Sequence, residues 1–552
     1  MKVHPSLPES CWLALSASQN SGEQPDWHLH LVATLSGQEV LDSAIIGKIR
    51  EEGLKRSQVP QALHQLCDVH GPRLTASPTY LSAARWAAQQ MTAWGLEKAA
   101  LEPWDFGHPG WTNEHSSVHA LAPFRSPLHV EVVAWTPSTP GTVKGEVVRL
   151  DLPEEPLPEE FEAALKALEG KIRDKVVFVG HPKELPVLLT RYAPRLDETE
   201  LAKRFDPTQP PVPPRLALDR GAPKRPGALR AREVEHRVDE FLVAQKALAR
   251  INDAGMRNGM IRAFHNRTYD PTKVVPTVVM RREDYGRIWR LMDSGKTATL
   301  ALDIRNTFHP KSTQGFNVVA EIPGAEKPEE VVLLGAHLDS WHTATGATDD
   351  GASCIAMMEA TRILKAVGAK PKRTIRVVLF DAEEQGLLGS QAYVKAHFGS
   401  DQAPKPEFDK LVAFFNMDGG AGQLRGLSIF GPAAASQVLR ELLAPFKDLG
   451  AVGAIHNKMR LPKPDYADIT VFSHAGLPAI GLTQDGLEYF DYTWHTSVDT
   501  VERIPVQDIS RTATIMASVA YHLANRAEKL PSFGKADLPP LPELPKAALE
   551  KK

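Results

Sequence analysis

Val331-Val332-Leu333-Leu334-Gly335-Ala336-His337-Leu338-Asp339 is an unbroken apolar run that ends on a histidine and an aspartate. Apolar residues without alternation predict a strand covered on both faces, the pattern of a largely parallel sheet. Two later runs repeat the arrangement: Ile375-Arg376-Val377-Val378-Leu379-Phe380 leads into Asp381-Ala382-Glu383-Glu384, and Leu411-Val412-Ala413-Phe414-Phe415-Asn416-Met417 into Asp418-Gly419-Gly420. Between the first two, Ala352, Ile355, Ala356, Ala360, Ile363, Leu364 and Val367 form one broad apolar helical face, and a second helix is predicted near Ser390 to Ala396. Strands alternating with helices predict an α/β fold, a mostly parallel mixed sheet with helices on both faces.

Open α/β sheets bind ligands beyond the carboxyl ends of their strands. His337, the pair Glu383-Glu384, and Asp418 therefore converge on one sheet edge. Two loops offer further candidates: Asp349-Asp350-Gly351 just before a helix, and Trp494-His495-Thr496-Ser497-Val498-Asp499-Thr500. Each piece alone has a plainer explanation. Asp-Asp-Gly is an ordinary turn and helix cap, adjacent glutamates commonly start a solvated helix, and His495 near Asp499 reads as a surface pair. It is their joint fall at one cleft that points to chemistry.

That chemistry is metal-assisted hydrolysis. Imidazole and carboxylate donors suit zinc at about 2.0–2.2 Å. Five protein ligands serve two zinc ions when one carboxylate bridges them. Metals about 3.5–4 Å apart polarise a carbonyl and bring a bound water's pKa towards neutrality. The water still needs a base, and a carboxylate next to a ligand carboxylate is well placed for that role. Asp339, two residues past His337, is expected to accept the second imidazole N–H and orient the ring.

The remaining sequence sets bounds. The 552 residues predict two or three domains. A formal net charge of −3 gives no electrostatic case for nucleic acid or an anionic membrane. Cys11, Cys67 and Cys354 are too scattered for a CxxC motif, so any metal must be held by His and carboxylates. No apolar run approaches the roughly 18–20 residues of a membrane span. The short apolar run Cys11–Leu15 is not read as an export signal, and residues 1–40 are set aside as a leader. Residues 43–104 read as helical with a turn at Gly71-Pro72, 128–304 as a β-rich insert carrying a basic, Pro-rich loop at 207–226 and a helix over 234–254, and 531–552 as a Pro/Lys-rich tail.

The segments Gly335-Ala336-His337-Leu338-Asp339-Ser340-Trp341, Asp349-Asp350-Gly351, Ala382-Glu383-Glu384-Gln385-Gly386, Asp418 and His495-Thr496-Ser497-Val498-Asp499-Thr500 resemble the di-zinc aminopeptidase and carboxypeptidase superfamily, and within it the carboxypeptidase Q group. The resemblance extends from about Ala44 to Asn525, with Gly71-Pro72-Arg73-Leu74 among its flanks. It implies a zinc-dependent exopeptidase acting on peptides or dipeptides, a homodimer, an extracytoplasmic location, and a protease-associated domain at 128–304 inserted between catalytic parts at 41–127 and 305–530. It further implies that Asp349 bridges two zinc ions, that His337 and Asp418 complete one site and Glu384 and His495 the other, that Glu383 is the general base, and that Asp349-Asp350 is cis. Many members place Tyr before the last His as oxyanion donor. Here that residue is Trp494, and Tyr466, Tyr489 and Tyr492 are the substitutes. His309, His342, His397, His456 and His474 match no motif role. A receptor-like binding module and a single-zinc acyltransferase are competing readings. Retention of all five ligands and the base argues against the first, and retention of both His337 and Asp418 against the second.

Overall fold

In the computed structural model, which describes residues 39–187, 189, 195–208, 225–265, 268–460 and 467–541, the opening run lies in the strand Lys327–His337. It is the centre of an eight-stranded mixed sheet. In spatial order the strands are Glu97–Asp105, Gln314–Ile322, Arg373–Phe380, Lys327–His337, Leu411–Asn416, Ala479–Gln484, Leu424–Phe430 and Gly453–Asn457. The three strands read from sequence are adjacent and parallel, with His337 beside Phe380 and Gly335 beside Asn416. Strands in register about 4.8 Å apart bring their following loops to one edge. This is how three separated stretches of chain deliver their polar ends to one place.

Residues along the central strand alternate between two cores. Val332, Leu334 and Ala336 face a large cluster that includes Ile355, Ile363, Ile515 and Val519, from the helices Ala352–Ala366 and Val506–Asn525. Val331 and Leu333 face a second cluster with Tyr393, Phe398, Phe414 and Phe472, on the side of the helices Leu388–His397 and Ile469–Ala475. Gly335 is required by packing, because a Cβ there would come within 2.5 Å of the Phe414 ring.

A second eight-stranded sheet takes its strands from Gly110–Ala122 to Thr299–His309. Four of them, Val143–Leu150, Val176–Val179, Ala249–Asp253 and Thr277–Met280, run parallel. Both sheets belong to the same compact unit, Glu39–Lys552.

Two expectations are corrected. The stretch 43–104 is not helical throughout: after the helix Pro78–Ala93 the chain becomes the edge strand Glu97–Asp105. Its strand state comes from pairing with Gln314–Ile322, which local periodicity does not encode. The helix predicted over 234–254 spans Ala231–Ala244, and Ala249–Asp253 is a strand. Lys246 takes a left-handed φ of 58°, which stops the helix, and Ile251 is then buried between parallel neighbours. Residues 1–38, most of the loop at 207–226, and 542–552 lie outside the described residues.

A buried arginine joins the N-terminal helical part to the loop after the central strand. Arg73 is fully buried and donates to the carbonyls of Leu338 (2.6 Å), Thr345 (2.8 Å) and Gly346 (2.9 Å). Its own N–H donates to Ser340 Oγ at 3.1 Å. Arg73→Met should lower stability by about 3 kcal/mol, since it strands buried acceptors. Denaturant unfolding measures this, and Arg73→Lys should recover only part of the loss because one ammonium cannot reproduce the planar fork.

Candidate active site

His337 closes the central strand, and its side chain is 1% exposed. Its Nδ1 lies 2.9 Å from the Asp339 carbonyl oxygen and 3.6 Å from the Asp339 carboxylate. The backbone carbonyl, rather than the expected carboxylate, is therefore the nearer group that orients the ring. The Asp339 carboxylate is committed to the neighbouring strand end, accepting the Glu383 N–H at 3.1 Å and the Glu384 N–H at 3.2 Å. Asp339 thus ties the first strand end to the second.

Asp349 lies between the two histidines. Its Oδ1 is 3.2 Å from His337 Nε2, and its Oδ2 is 3.1 Å from His495 Nε2. On one side Asp418 Oδ1 lies 3.8 Å from His337 Nε2; on the other Glu384 Oε2 lies 2.9 Å from His495 Nε2. Ligand atoms of His337, Asp350 and Asp418 come within 4.8 Å of one another, as do those of Asp349, Glu384 and His495. The Asp349-Asp350 peptide is cis, as the resemblance implies. The backbone here is fixed by Asp499, whose carboxylate accepts the Thr348 N–H at 2.6 Å and the Asp349 N–H at 3.2 Å. Asp499 is buried, so the surface pairing considered for it does not hold.

The charge balance tests whether a metal fits. Burial pushes Asp418 up to about 6 and Glu384 up to about 7, despite the opposing pull of the histidines. Burial, reinforced by Asp418 and Glu384, raises Glu383 well above the usual carboxylate range. Asp349 shifts the other way: burial opposes its charge, but hydrogen bonds from His337 and His495 outweigh it. For His495, burial lowers the pKa, yet Glu384 and Asp349 carry it up to about 9. So many buried carboxylates repel one another unless positive charge lies among them. Asp350 Oδ1 and Glu384 Oε1 are buried with no hydrogen-bond partner among the described residues. The donor set and the unused oxygens fit divalent cations.

Sequence reading missed two carboxylates here. Asp350 accepts the His337 N–H at 3.2 Å and joins His337 and Asp418. Asp468 is 1% exposed, lies in the field of His337 and Asp418, and is pushed up to about 7, chiefly by burial. In sequence Asp468 is only an acid before a short helix, and nothing local marks it.

Among the tyrosines named as substitutes for Trp494, Tyr466 lies outside the described residues. Tyr492 receives a hydrogen bond from Arg503 on the exposed side. Tyr489 is 4% exposed; burial first, then the charges of Asp349, Asp418, Asp350 and Glu384, keep its hydroxyl protonated. Trp494 stacks on the His495 ring at 3.9 Å. His309, His342 and His397 are engaged elsewhere, with Thr112, the Val132 carbonyl and Glu102.

The second sheet reaches this site. Arg262 pairs with Thr496 in an antiparallel bridge, Ser497 N–H donates to the Ile261 carbonyl at 2.8 Å, and the Phe264 ring meets His495 edge-on at 5.3 Å.

The sequence model of Peptidase family M28 matches residues 317–520. Carboxypeptidase Q of Rattus norvegicus is 32% identical over 262 residues, covering 48% of this chain and 52% of the relative. The chain thus spans about half the length of the curated relatives it matches. Among solved structures, a peptidase M28 precursor from Shewanella amazonensis superposes with a TM-score of 0.63 at 24% identity, covering 91% of this chain and 98% of that one. BSAP, a zinc aminopeptidase from Bacillus subtilis, gives 0.53 at 14% identity, over 87% and 98% of the two chains. Residues 317–520, which carry every residue of the carboxylate and histidine cluster, match the sequence model of Peptidase family M28, and the chain has the fold of these solved relatives.

Proposed function

We propose that the chain is a zinc-dependent metalloexopeptidase that hydrolyses the terminal peptide bond of peptides or dipeptides, as the names of its carboxypeptidase and aminopeptidase relatives suggest. The observation that carries this reading is Asp349, whose two oxygens each face a different histidine at 3.2 and 3.1 Å. In this reading His337, Asp349 and Asp418 hold one zinc, and Asp349, Glu384 and His495 the second. Bound zinc would supply Lewis-acid polarisation of the scissile carbonyl and acidify the attacking water.

The protein's own groups do the rest. Glu383 is half-buried beside the ligands with no assigned ligand role, and its high affinity for a proton suits a general base. It takes a proton from the water as the new C–O bond forms, then hands it to the leaving amine as the C–N bond breaks. Asp339 holds the Glu383 backbone in place, and Asp499 that of Asp349. Tyr489 is the donor for the developing oxyanion; its ring rests on Gly420, where a Cβ would come within 2.8 Å. The division of the chain into an insert at 128–304 between catalytic parts at 41–127 and 305–530 belongs to the same reading.

Glu383→Gln should retain bound metal while kcat on dipeptides falls by about 1,000-fold, within the range for loss of a general base. Steady-state kinetics with metal analysis checks this, and near-normal turnover would remove Glu383 from the role. Tyr489→Phe should lower kcat about 100-fold with little change in KM. A change confined to KM would instead make Tyr489 a contact for substrate binding.

A further inference from the structure

The connection between the strands Ala249–Asp253 and Thr277–Met280 of the second sheet contributes a cation to the site that no metal needs. Arg262 lies beside the loop bearing His495, with its guanidinium 4.8 Å from the Trp494 ring centroid. Trp494 in turn stacks on His495 at 3.9 Å. One indole ring therefore lies between the guanidinium and a candidate ligand. The backbone around Arg262 is held on both sides: Ile261 N–H donates to Ser497 Oγ at 3.2 Å, and Ser497 N–H returns a bond to the Ile261 carbonyl. Neither strand can shift without the other.

The guanidinium itself is left over. Its Nε is buried with no hydrogen-bond partner among the described residues, and none of them forms an ion pair with the side chain. Asp349 is the acid whose field reaches it, and in the reading above that carboxylate is committed to metal. A half-buried cation without an anionic partner is costly, so its persistence beside a reactive centre points to an anion that arrives with the ligand. The guanidinium lies over the Trp494 ring, and a guanidinium is the group that receives a carboxylate in two parallel hydrogen bonds. Phe264 and Trp341, whose rings meet at 5.3 Å, supply an apolar wall alongside. Arg262 and Phe264 also border a cavity of about 720 Å³ at the carboxyl ends of the parallel strands of the second sheet, which gives room for a side chain.

We infer that Arg262 binds the free α-carboxylate of the peptide substrate, so that the site reads the carboxyl end. This rests on the hydrolase reading above and deepens it by naming the terminus. Arg262 is a specificity determinant that touches substrate, supplied by the second sheet to a metal centre built on the first.

The test uses the zinc-loaded full chain and an N-acetylated dipeptide, as free acid and as C-terminal amide. The wild type should prefer the acid by about 100-fold in kcat/KM. Arg262→Met should collapse that preference to within a few-fold, mainly by raising KM for the acid. Arg262→Lys, which retains charge but not the fork, should fall between, and it stands as the test if the methionine variant does not fold. Binding of the acid and the amide to Glu383→Gln, measured calorimetrically, should give the same preference without turnover and lose it in the double variant Glu383→Gln/Arg262→Met. Equal losses for acid and amide in the Arg262 variants would overturn the inference, as would a wild type that cleaves both alike. Both outcomes leave the hydrolase reading intact. A wild type that cleaves neither these substrates nor peptides with a free amino terminus would sink both.

Discussion

Several carboxylates buried side by side cannot all remain ionised in a protein interior without compensating positive charge. Asp349, Asp350, Glu383, Glu384, Asp418 and Asp468 are gathered at one sheet edge around the imidazoles of His337 and His495. Burial and mutual repulsion push most of them towards the protonated form, and Asp349 alone, held between the imidazoles, goes the other way. A fold that keeps such a cluster has a use for cations there. The chemistry proposed for the site follows from this electrostatic constraint.

The scaffold answers the constraint by fixing backbone, not only side chains. Three carboxylates accept main-chain N–H groups around the site: Asp339 holds Glu383 and Glu384, Asp350 holds His337, and Asp499 holds Thr348 and Asp349. Arg73 closes the frame from the N-terminal part by gathering three carbonyls of the loop that leads to Asp349. The second sheet then adds the 261–264 segment against Thr496 and Ser497, so the far side of the site is built by chain outside the family-matched residues. Catalytic geometry of this kind depends on supporting groups as much as on the ligands.

The parallel centre of the fold was legible because its strands are buried on both faces and are therefore continuously apolar, as Val331–Ala336 and Leu411–Met417 illustrate. The edge strand Glu97–Asp105 and the strand Ala249–Asp253 were not, because their state comes from partners distant in sequence. The site followed the same logic. His337, Glu383, Glu384 and Asp418 announce themselves at strand ends, whereas Asp349 and His495 sit in loops and needed a family resemblance to be singled out. Asp350 stood inside the quoted Asp349-Asp350-Gly351 segment without a role of its own, Asp468 carried no local mark, and Arg262 lies in another part of the chain altogether. Only folding brings its guanidinium to Trp494. Asp339 meets the His337 ring both through its backbone carbonyl, at 2.9 Å, and through its carboxylate, at 3.6 Å.

The central claim is that this carboxylate cluster is a two-metal site bridged by Asp349. Elemental analysis of the purified full chain tests it most directly. About two zinc ions per chain, with both lost in Asp349→Ala and one lost in His337→Ala, is the predicted result. A single zinc or none in the wild type, or two retained in Asp349→Ala, would contradict it.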